Sequence, residues 1–373
     1  MNIPLSAPDI READMAAVDS VLRTSRLSLG PKLAEFERGL ANYVGTLDAV
    51  AVNSGTSALH LCLRVLGVGE GHEVILPSFA FIAVANAVRY VNAVPVFVDI
   101  DPGTLNLDPR SIESAVTSRT RAILLVHTFG VPAAIDSILE LARRHSLYVI
   151  EDACEALGAE IAGRKVGSFG DAGVFGFYPN KQITTGEGGA LLTSNPELAA
   201  LARTLRNQGR STSSDWLQHA EVGYNFRISE MNCALGLAQL QRIDEILLAR
   251  EYVAREYGQC LKGSPFLDLP KLELPRGKIS WFVYVVRLAE KFTGADRDSI
   301  LQKMRDRGIE CGRYFAPIHL QPAYASEPHR RMNLKTTESI APRTLALPFF
   351  TRLTPAEVQT VSGTLLELLE NYR

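Results

Sequence analysis

Seven apolar runs of strand length, spread through the first two-thirds of the chain, constrain its fold more than any other feature. They fall at residues 49–52, 73–76, 94–100, 122–126, 148–150, 173–177 and 189–192. Most are too continuous in apolar and β-branched residues for a strand with one wet face, so the sheet they form must be covered on both sides. Helical patterns lie between them. Residues 56–66 gather Leu59, Cys62 and Leu66 on one face. Residues 134–145 carry Asp136 near the start and Arg143, Arg144 and His145 near the end, a charge order that suits a helix dipole. Strands alternating with helices predict an α/β fold whose large domain is a mainly parallel seven-stranded sheet between helices.

The pattern changes further along. Residues 229–261 read as one long helical region with Ser229 as its N-cap. Pro265, Pro270 and Pro275 then punctuate the chain, 281–288 reads as a strand, and 300–307 and 355–369 read as helices. A length of 373 residues leaves room for two domains, here a large one over 1–250 and a smaller C-terminal α+β one over 251–373. Composition excludes several classes. With 46% hydrophobic and 21% charged residues the chain is neither disordered nor fibrous. A net charge of -2 with no basic block argues against nucleic acid as a partner. No apolar stretch is long enough for a bilayer, and the first residues lack the pattern of a signal peptide. Five cysteines, odd in number and without a CxxC pair, predict free thiols in a reducing cytoplasm, and no metal site is expected.

Four stretches carry chemistry. Residues 175–189 read Phe-Gly-Phe-Tyr-Pro-Asn-Lys-Gln-Ile-Thr-Thr-Gly-Glu-Gly-Gly, which puts Lys181 between a buried strand and a glycine-rich turn. A lysine that condenses with a carbonyl must be held rigidly and partly desolvated, so that its amine is neutral often enough to react. The plainer reading is a surface lysine in a turn. Asp152 ends an apolar strand, where α/β proteins meet their ligands and a carboxylate can keep a heterocyclic nitrogen protonated; the plainer reading is a cap for the next helix. Gly55, Thr56 and Ser57 open a helix after a strand and offer an anion site, or an ordinary cap. Phe81, in Pro77-Ser-Phe-Ala-Phe81, offers a ring for stacking on a flat heterocycle, or for core packing.

In this order, the motifs resemble the DegT/DnrJ/StrS family of sugar-nucleotide aminotransferases. The likeness runs nearly end to end. It takes in Leu29-Gly-Pro31, the 53–60 stretch, 96–101, His127-Thr-Phe-Gly130, 151–159 and the lysine block. It continues through 205–210, Gly223-Tyr-Asn225-Phe-Arg227, 317–324 and Leu347-Pro-Phe-Phe350. The resemblance implies the fold type I of pyridoxal 5'-phosphate (PLP) enzymes, with PLP as cofactor. It makes Lys181 the covalent anchor of PLP and Asp152 the partner of the pyridine nitrogen. Glu155 falls where many members place Gln or His near the ring 3-hydroxyl. Gly55, Thr56 and Ser57 match the phosphate site and Phe81 the stacking ring. Asn225 matches an asparagine that reaches the phosphate from the other subunit, so a homodimer with shared active sites is implied. Gly176 departs from the serine many members carry there, which predicts looser cofactor binding or a compensating water. Lys181 argues against the branch in which a histidine replaces the lysine.

The activity implied is ping-pong transamination. L-glutamate gives its amino group, and a keto sugar on a nucleotide, best taken as a 4-keto-6-deoxyhexose, receives it. Gly30, Arg313, Tyr314 and His319 are sugar-pocket candidates by family position, against a plainer role in packing. Arg206 and Arg210 read as solvated surface charge before they read as diphosphate contacts. Two alternatives stand beside this reading: an acceptor that is a keto-cyclitol or other carbocycle, and a PLP-binding regulatory protein without turnover.

Overall fold

The computed structural model describes residues 2–210 and 218–371. Its strands are β1 Asp48–Val52, β2 Glu73–Pro77, β3 Val94–Val98, β4 Thr120–Val126, β5 Tyr148–Asp152, β6 Glu160–Ile161, β7 Arg164–Lys165, β8 Ala172–Gly176, β9 Gly189–Thr193, β10 Leu267–Asp268, β11 Gly277–Lys278, β12 Tyr284–Leu288, β13 Arg330–Arg331 and β14 Thr344–Leu347. Its α-helices are α1 Glu12–Leu22, α2 Pro31–Val44, α3 Gly55–Val65, α4 Ala83–Tyr90, α5 Ile135–His145, α6 Pro196–Arg206, α7 Glu230–Gln241, α8 Ile243–Leu261, α9 Gly294–Asp306, α10 Lys335–Ile340 and α11 Pro355–Glu370.

All seven expected runs belong to one sheet, ordered β1-β9-β8-β5-β4-β2-β3, and β13 extends it to an eighth strand beside β3. Only β9 is antiparallel to its neighbours, β1 and β8; the other pairings are parallel. Alternate residues feed opposite layers. Val74, Leu76, Leu124 and Ile150 pack with the residues of α3 and α4, while Ile75, Ile123 and Val149 pack with those of α5. Ala49, Ala51 and Phe175 meet α2, α7 and α8. Each such Leu, Ile or Val contributes about 1.5–3 kcal/mol when fully buried, which explains why these strands read as unbroken apolar runs.

A second core holds β10, β12 and β14 against α8, α9 and α11, and it includes Ile3 from the N-terminal segment. In return Ile318, Tyr324 and Leu334 lie in the core of the large sheet. Glu73, fully buried at the start of β2, fastens this return: Arg119 donates to it at 2.6 Å and Arg330, from β13, at 2.5 Å.

Three sequence expectations shift. The single helix over 229–261 is two, because Arg242 leaves helical geometry (φ −117°, ψ 21°) and its guanidinium reaches Asp9 and Asp14 at 2.9 Å. Ser229 does cap α7, accepting the Asn232 N–H at 3.2 Å. The strand over 281–288 begins only at Tyr284, since the carbonyls of Trp281 and Phe282 accept from Arg250 instead of joining a ladder. The helix over 300–307 starts earlier, at Gly294, where Thr293 and Asp296 form a capping box. Among the described residues no helix is long and apolar enough to cross a membrane.

Candidate active site

The carboxyl ends of β1, β2, β4, β5 and β8 open onto one cavity of about 520 Å³. That edge of a parallel sheet is where α/β proteins bind ligands, because loops and helix N-termini converge there. Two devices shape its floor. At the start of α3, Ser54 Oγ accepts the Ser57 N–H at 3.0 Å and the Ser54 carbonyl accepts the Ala58 N–H at 3.1 Å. The earlier N–H groups, of Gly55 and Thr56, have no protein acceptor among the described residues, and both residues line the cavity. This is the anion-binding geometry of a helix N-terminus.

The other device is a hairpin. β8 and β9 pair antiparallel with Gly176 opposite Gly189, and the loop between them carries Lys181. The loop is braced from within: Phe177 N–H donates to Gly188 O at 2.9 Å, Thr185 N–H to Phe177 O at 3.0 Å, and Lys181 N–H to Tyr178 O at 2.9 Å. β9 also runs hard against the start of α3. A Cβ on Gly189 would lie 2.5 Å from Gly55 N and from Ser54 C and O, so only glycine permits this approach.

Lys181 is largely desolvated, with its side chain 15% exposed. Its Nζ lies 3.8 Å from Glu155 Oε1 and 3.9 Å from the centre of the Phe282 ring. Glu155 is buried, and its Oε2 accepts the Phe129 N–H at 2.9 Å. Burial raises the Glu155 carboxyl above its ordinary pKa, opposed by the Lys181 charge. Asp152, at the end of β5, is 8% exposed and accepts the Cys154 N–H at 3.0 Å, so it closes a local turn while facing the same cavity. Burial, and then Asp152, push the Cys154 thiol well above its ordinary range, so it is neutral. Tyr314 lines the cavity with its phenol raised, first by burial and then by Glu155. An amine, two carboxylates and a run of free N–H groups thus share one desolvated space. Such a set can hold a phosphorylated heteroaromatic ring and move a proton beside it.

The remaining expected residues divide. Phe81 lines the cavity and is 61% exposed, a ring offered to a ligand rather than to the core. Arg313 sits at the rim, paired with Asp298 at 2.9 Å. Ser57 is outside the lining, its hydroxyl 2.9 Å from Ser54 Oγ. Gly30 is the N-cap of α2 and donates to Glu230 Oε1 at 2.9 Å, away from the cavity. His319 is enclosed between Ser78 Oγ (2.7 Å) and Glu338 Oε1 (3.2 Å) and does not reach the cavity. Asn225 is exposed and outside the cavity of its own chain. Arg206 is not surface charge: it is 6% exposed and donates to Glu37 Oε1 at 2.5 Å and Ala51 O at 2.7 Å, because the end of α6 packs over β1.

Gly176 lines the cavity, and its neighbour explains the departure from serine. A Cβ there would meet Cys154 Sγ at 3.3 Å and Cys154 Cβ at 3.4 Å. Cys154 takes the room a serine would need. Sequence reading passed over Phe282, Tyr178, Asn180 and Glu187, all in the lining. The last three flank Lys181 in the chain and were within reach of it. Phe282 comes from a distant segment and carried no local signal.

Comparison with known proteins agrees with this geometry. The pattern of the DegT/DnrJ/EryC1/StrS aminotransferase family matches residues 8–366. The GDP-perosamine synthase of Caulobacter vibrioides is 43% identical over 344 residues, covering 92% of this chain and 91% of that one. Among solved structures, Helicobacter pylori PseC, an aminotransferase involved in the biosynthesis of pseudoaminic acid, superposes with a TM-score of 0.93 at 30% identity over the whole of both chains. Spr1654 of Streptococcus pneumoniae in its PLP-form gives a TM-score of 0.94 at 29% identity, again over 100% of each chain. With a match across nearly its whole length and a core built to the same plan, the chain belongs to the DegT/DnrJ/EryC1/StrS aminotransferase family.

Proposed function

We propose that the protein is a PLP-dependent aminotransferase that converts a keto sugar carried on a nucleotide into the amino sugar, with L-glutamate as donor. One observation carries the reading: Lys181 and Asp152 face a single cavity whose floor is the open N-terminus of α3. The residues fit PLP by their chemistry. Lys181 would anchor its aldehyde, Asp152 would pair with the ring nitrogen, and the N–H groups of Gly55 and Thr56 with the Thr56 hydroxyl would take the phosphate. Phe81 would stack on the ring, and Ser57 would act through the turn it closes with Ser54. When bound, PLP supplies an electron sink for the carbon that loses its proton.

The chain does the rest. Asp152 keeps a positive charge beside it. Lys181, once free, would be placed to take the proton from the donor's α-carbon and to give one back within the same cavity, as general base and then acid. Glu155 beside its Nζ holds charge or proton as that amine changes state. Burial of the pair excludes water and sharpens each interaction. The 251–373 unit closes the cavity with Phe282, Tyr314 and Phe315, and the 1–250 unit binds the cofactor. The acceptor best supported is a 4-keto-6-deoxy sugar on a nucleoside diphosphate, since the GDP-perosamine synthase relative shares the greater part of the chain. Arg313 at the rim and Tyr314 in the wall are its nearest contacts.

A homodimer with Asn225 serving the second site is supported by the surface around that residue. Asn225 is exposed while its neighbours Tyr224 and Phe226 stack on each other, ring centres 4.7 Å apart, against the core on the other side, and Val222 is 87% exposed. Five cysteines without a disulfide suit the cytoplasm.

The test is a half-reaction. L-glutamate is expected to abolish the visible absorbance of the PLP-loaded protein and release 2-oxoglutarate. Saturating amino donors that leave the spectrum unchanged would overturn the reading and favour a protein without turnover. A panel of nucleotide-linked amino sugars and amino-cyclitols, run in reverse, then separates a sugar from a carbocyclic acceptor. Lys181→Ala is expected to keep the fold and lose turnover by at least about a thousandfold, and Asp152→Asn to lose most activity with little change in melting temperature.

A further inference from the structure

Arg250 is 2% exposed on α8, and among the described residues no carboxylate forms an ion pair with it. A buried cation ordinarily needs such a partner. Here backbone carbonyls serve instead: Nε donates to Trp281 O at 2.8 Å, and Nη2 donates to Phe282 O at 3.1 Å and Asn180 O at 3.2 Å. Burial pushes the guanidinium down to about 10, which leaves it charged at neutral pH. Its partners belong to two segments far apart in sequence. Asn180 immediately precedes Lys181 in the hairpin loop, and Phe282 presents the ring whose centre is 3.9 Å from Lys181 Nζ. The fork therefore grips the backbone on both sides of the contact between amine and ring.

We infer that Arg250 is a positioning residue for Lys181, locking the lysine loop to the Phe282 segment so that the ring face stays against the amine. The inference rests on the proposed role of Lys181. A ring face stabilises a nitrogen in its protonated form. Holding it in place sets how readily that nitrogen keeps its proton. The planar fork matters more than the charge, because a lysine at 250 presents a point charge on a flexible stem and cannot span the carbonyls in the same geometry.

Arg250→Lys keeps the charge and removes the fork. In the PLP-loaded protein, the pH dependence of the visible absorbance reports protonation of the Lys181 nitrogen. Its apparent pKa is expected to fall by about half a unit to one unit. kcat is expected to fall about tenfold while the KM for L-glutamate changes less than about threefold. Phe282→Leu removes the ring but leaves the carbonyl that Arg250 holds, and is expected to give the same downward shift. In an Arg250→Lys protein that folds and binds PLP, no shift or an upward one overturns the inference. If that variant does not fold, Arg250→Gln takes its place: a downward shift matching that of Phe282→Leu supports the inference, and an unmoved profile overturns it. A wild-type protein lacking a visible band that Lys181→Ala abolishes would sink the proposed function instead, so the two failures are distinct.

Discussion

Glu151, Asp152 and Glu155 crowd one strand end, and their surroundings treat the two glutamates oppositely. Glu151 is fully buried and accepts from His127 Nε2 at 3.0 Å and from the N–H groups of Gly167, Phe169 and Gly170. His127 Nδ1 accepts the Ala133 N–H, so Nε2 carries the proton. Burial by itself would raise Glu151, but His127 and the N–H groups outweigh it and lower its pKa. Its contribution to stability is present above the ordinary carboxylate range and is lost as pH falls through the lowered value. Glu155 is raised, so its contribution is full in acid and lost as pH rises through its pKa. Cofactor-free Glu155→Gln is therefore expected to melt above wild type at neutral pH, with the gap closing below about pH 4.3. Thermal melts across pH check this, and a gap that widens in acid would contradict it. The contact between Gly176 and Cys154 is also a matter of single residues. Gly176→Ser alone is expected to cost about 1–3 kcal/mol by crowding Cys154 and to weaken PLP binding. Adding Cys154→Ala should recover both, as denaturant melts and PLP titration would show.

At the scale of elements, the site is the meeting of one helix start and one hairpin. The cap at Ser54 keeps the first turn of α3 formed, and β9 presses its backbone against that turn. Ser54→Ala is expected to cost about 1 kcal/mol and to weaken PLP binding more than that loss of stability alone would suggest. Fraying would move the Gly55 and Thr56 N–H groups proposed to take the phosphate. Equilibrium unfolding with and without PLP separates the two effects. An unchanged PLP affinity would mean that the cap serves the fold only.

The molecule as a whole is tied together by segments that cross between its two cores. Ile3 crosses one way and the 317–334 stretch the other, and Glu73 secures the latter through Arg330. Glu73→Gln is expected to cost about 1–3 kcal/mol, the scale of lost charge-assisted hydrogen bonds, because the Arg119 and Arg330 guanidinium groups can both turn to solvent. Loosening β13 should also raise the KM for the keto-sugar acceptor, since the same stretch follows the Arg313–Phe315 wall. Chemical denaturation and steady-state kinetics with the acceptor measure the two effects.

Much of this was legible in one dimension. Unbroken apolar runs marked all seven long strands of the large sheet, because a strand buried on both faces has no polar side to show. Lys181 and Asp152 stood out because one follows a buried strand into a glycine-rich turn and the other ends a buried strand, and because the motifs around both resemble one family. What remained hidden depends on distance. Residues 281–283 look like the start of a strand, yet Arg250 claims the carbonyls of Trp281 and Phe282, and the centre of the Phe282 ring lies 3.9 Å from the Lys181 amine. His319 looks available for a ligand and Arg206 looks like solvated surface charge, yet packing supplies each with a partner far along the chain. Periodicity records which faces of a chain avoid water. Only the folded molecule decides which polar groups are left over to meet a substrate, because a hydrogen bond or an ion pair is satisfied by position in space and not by order along the chain.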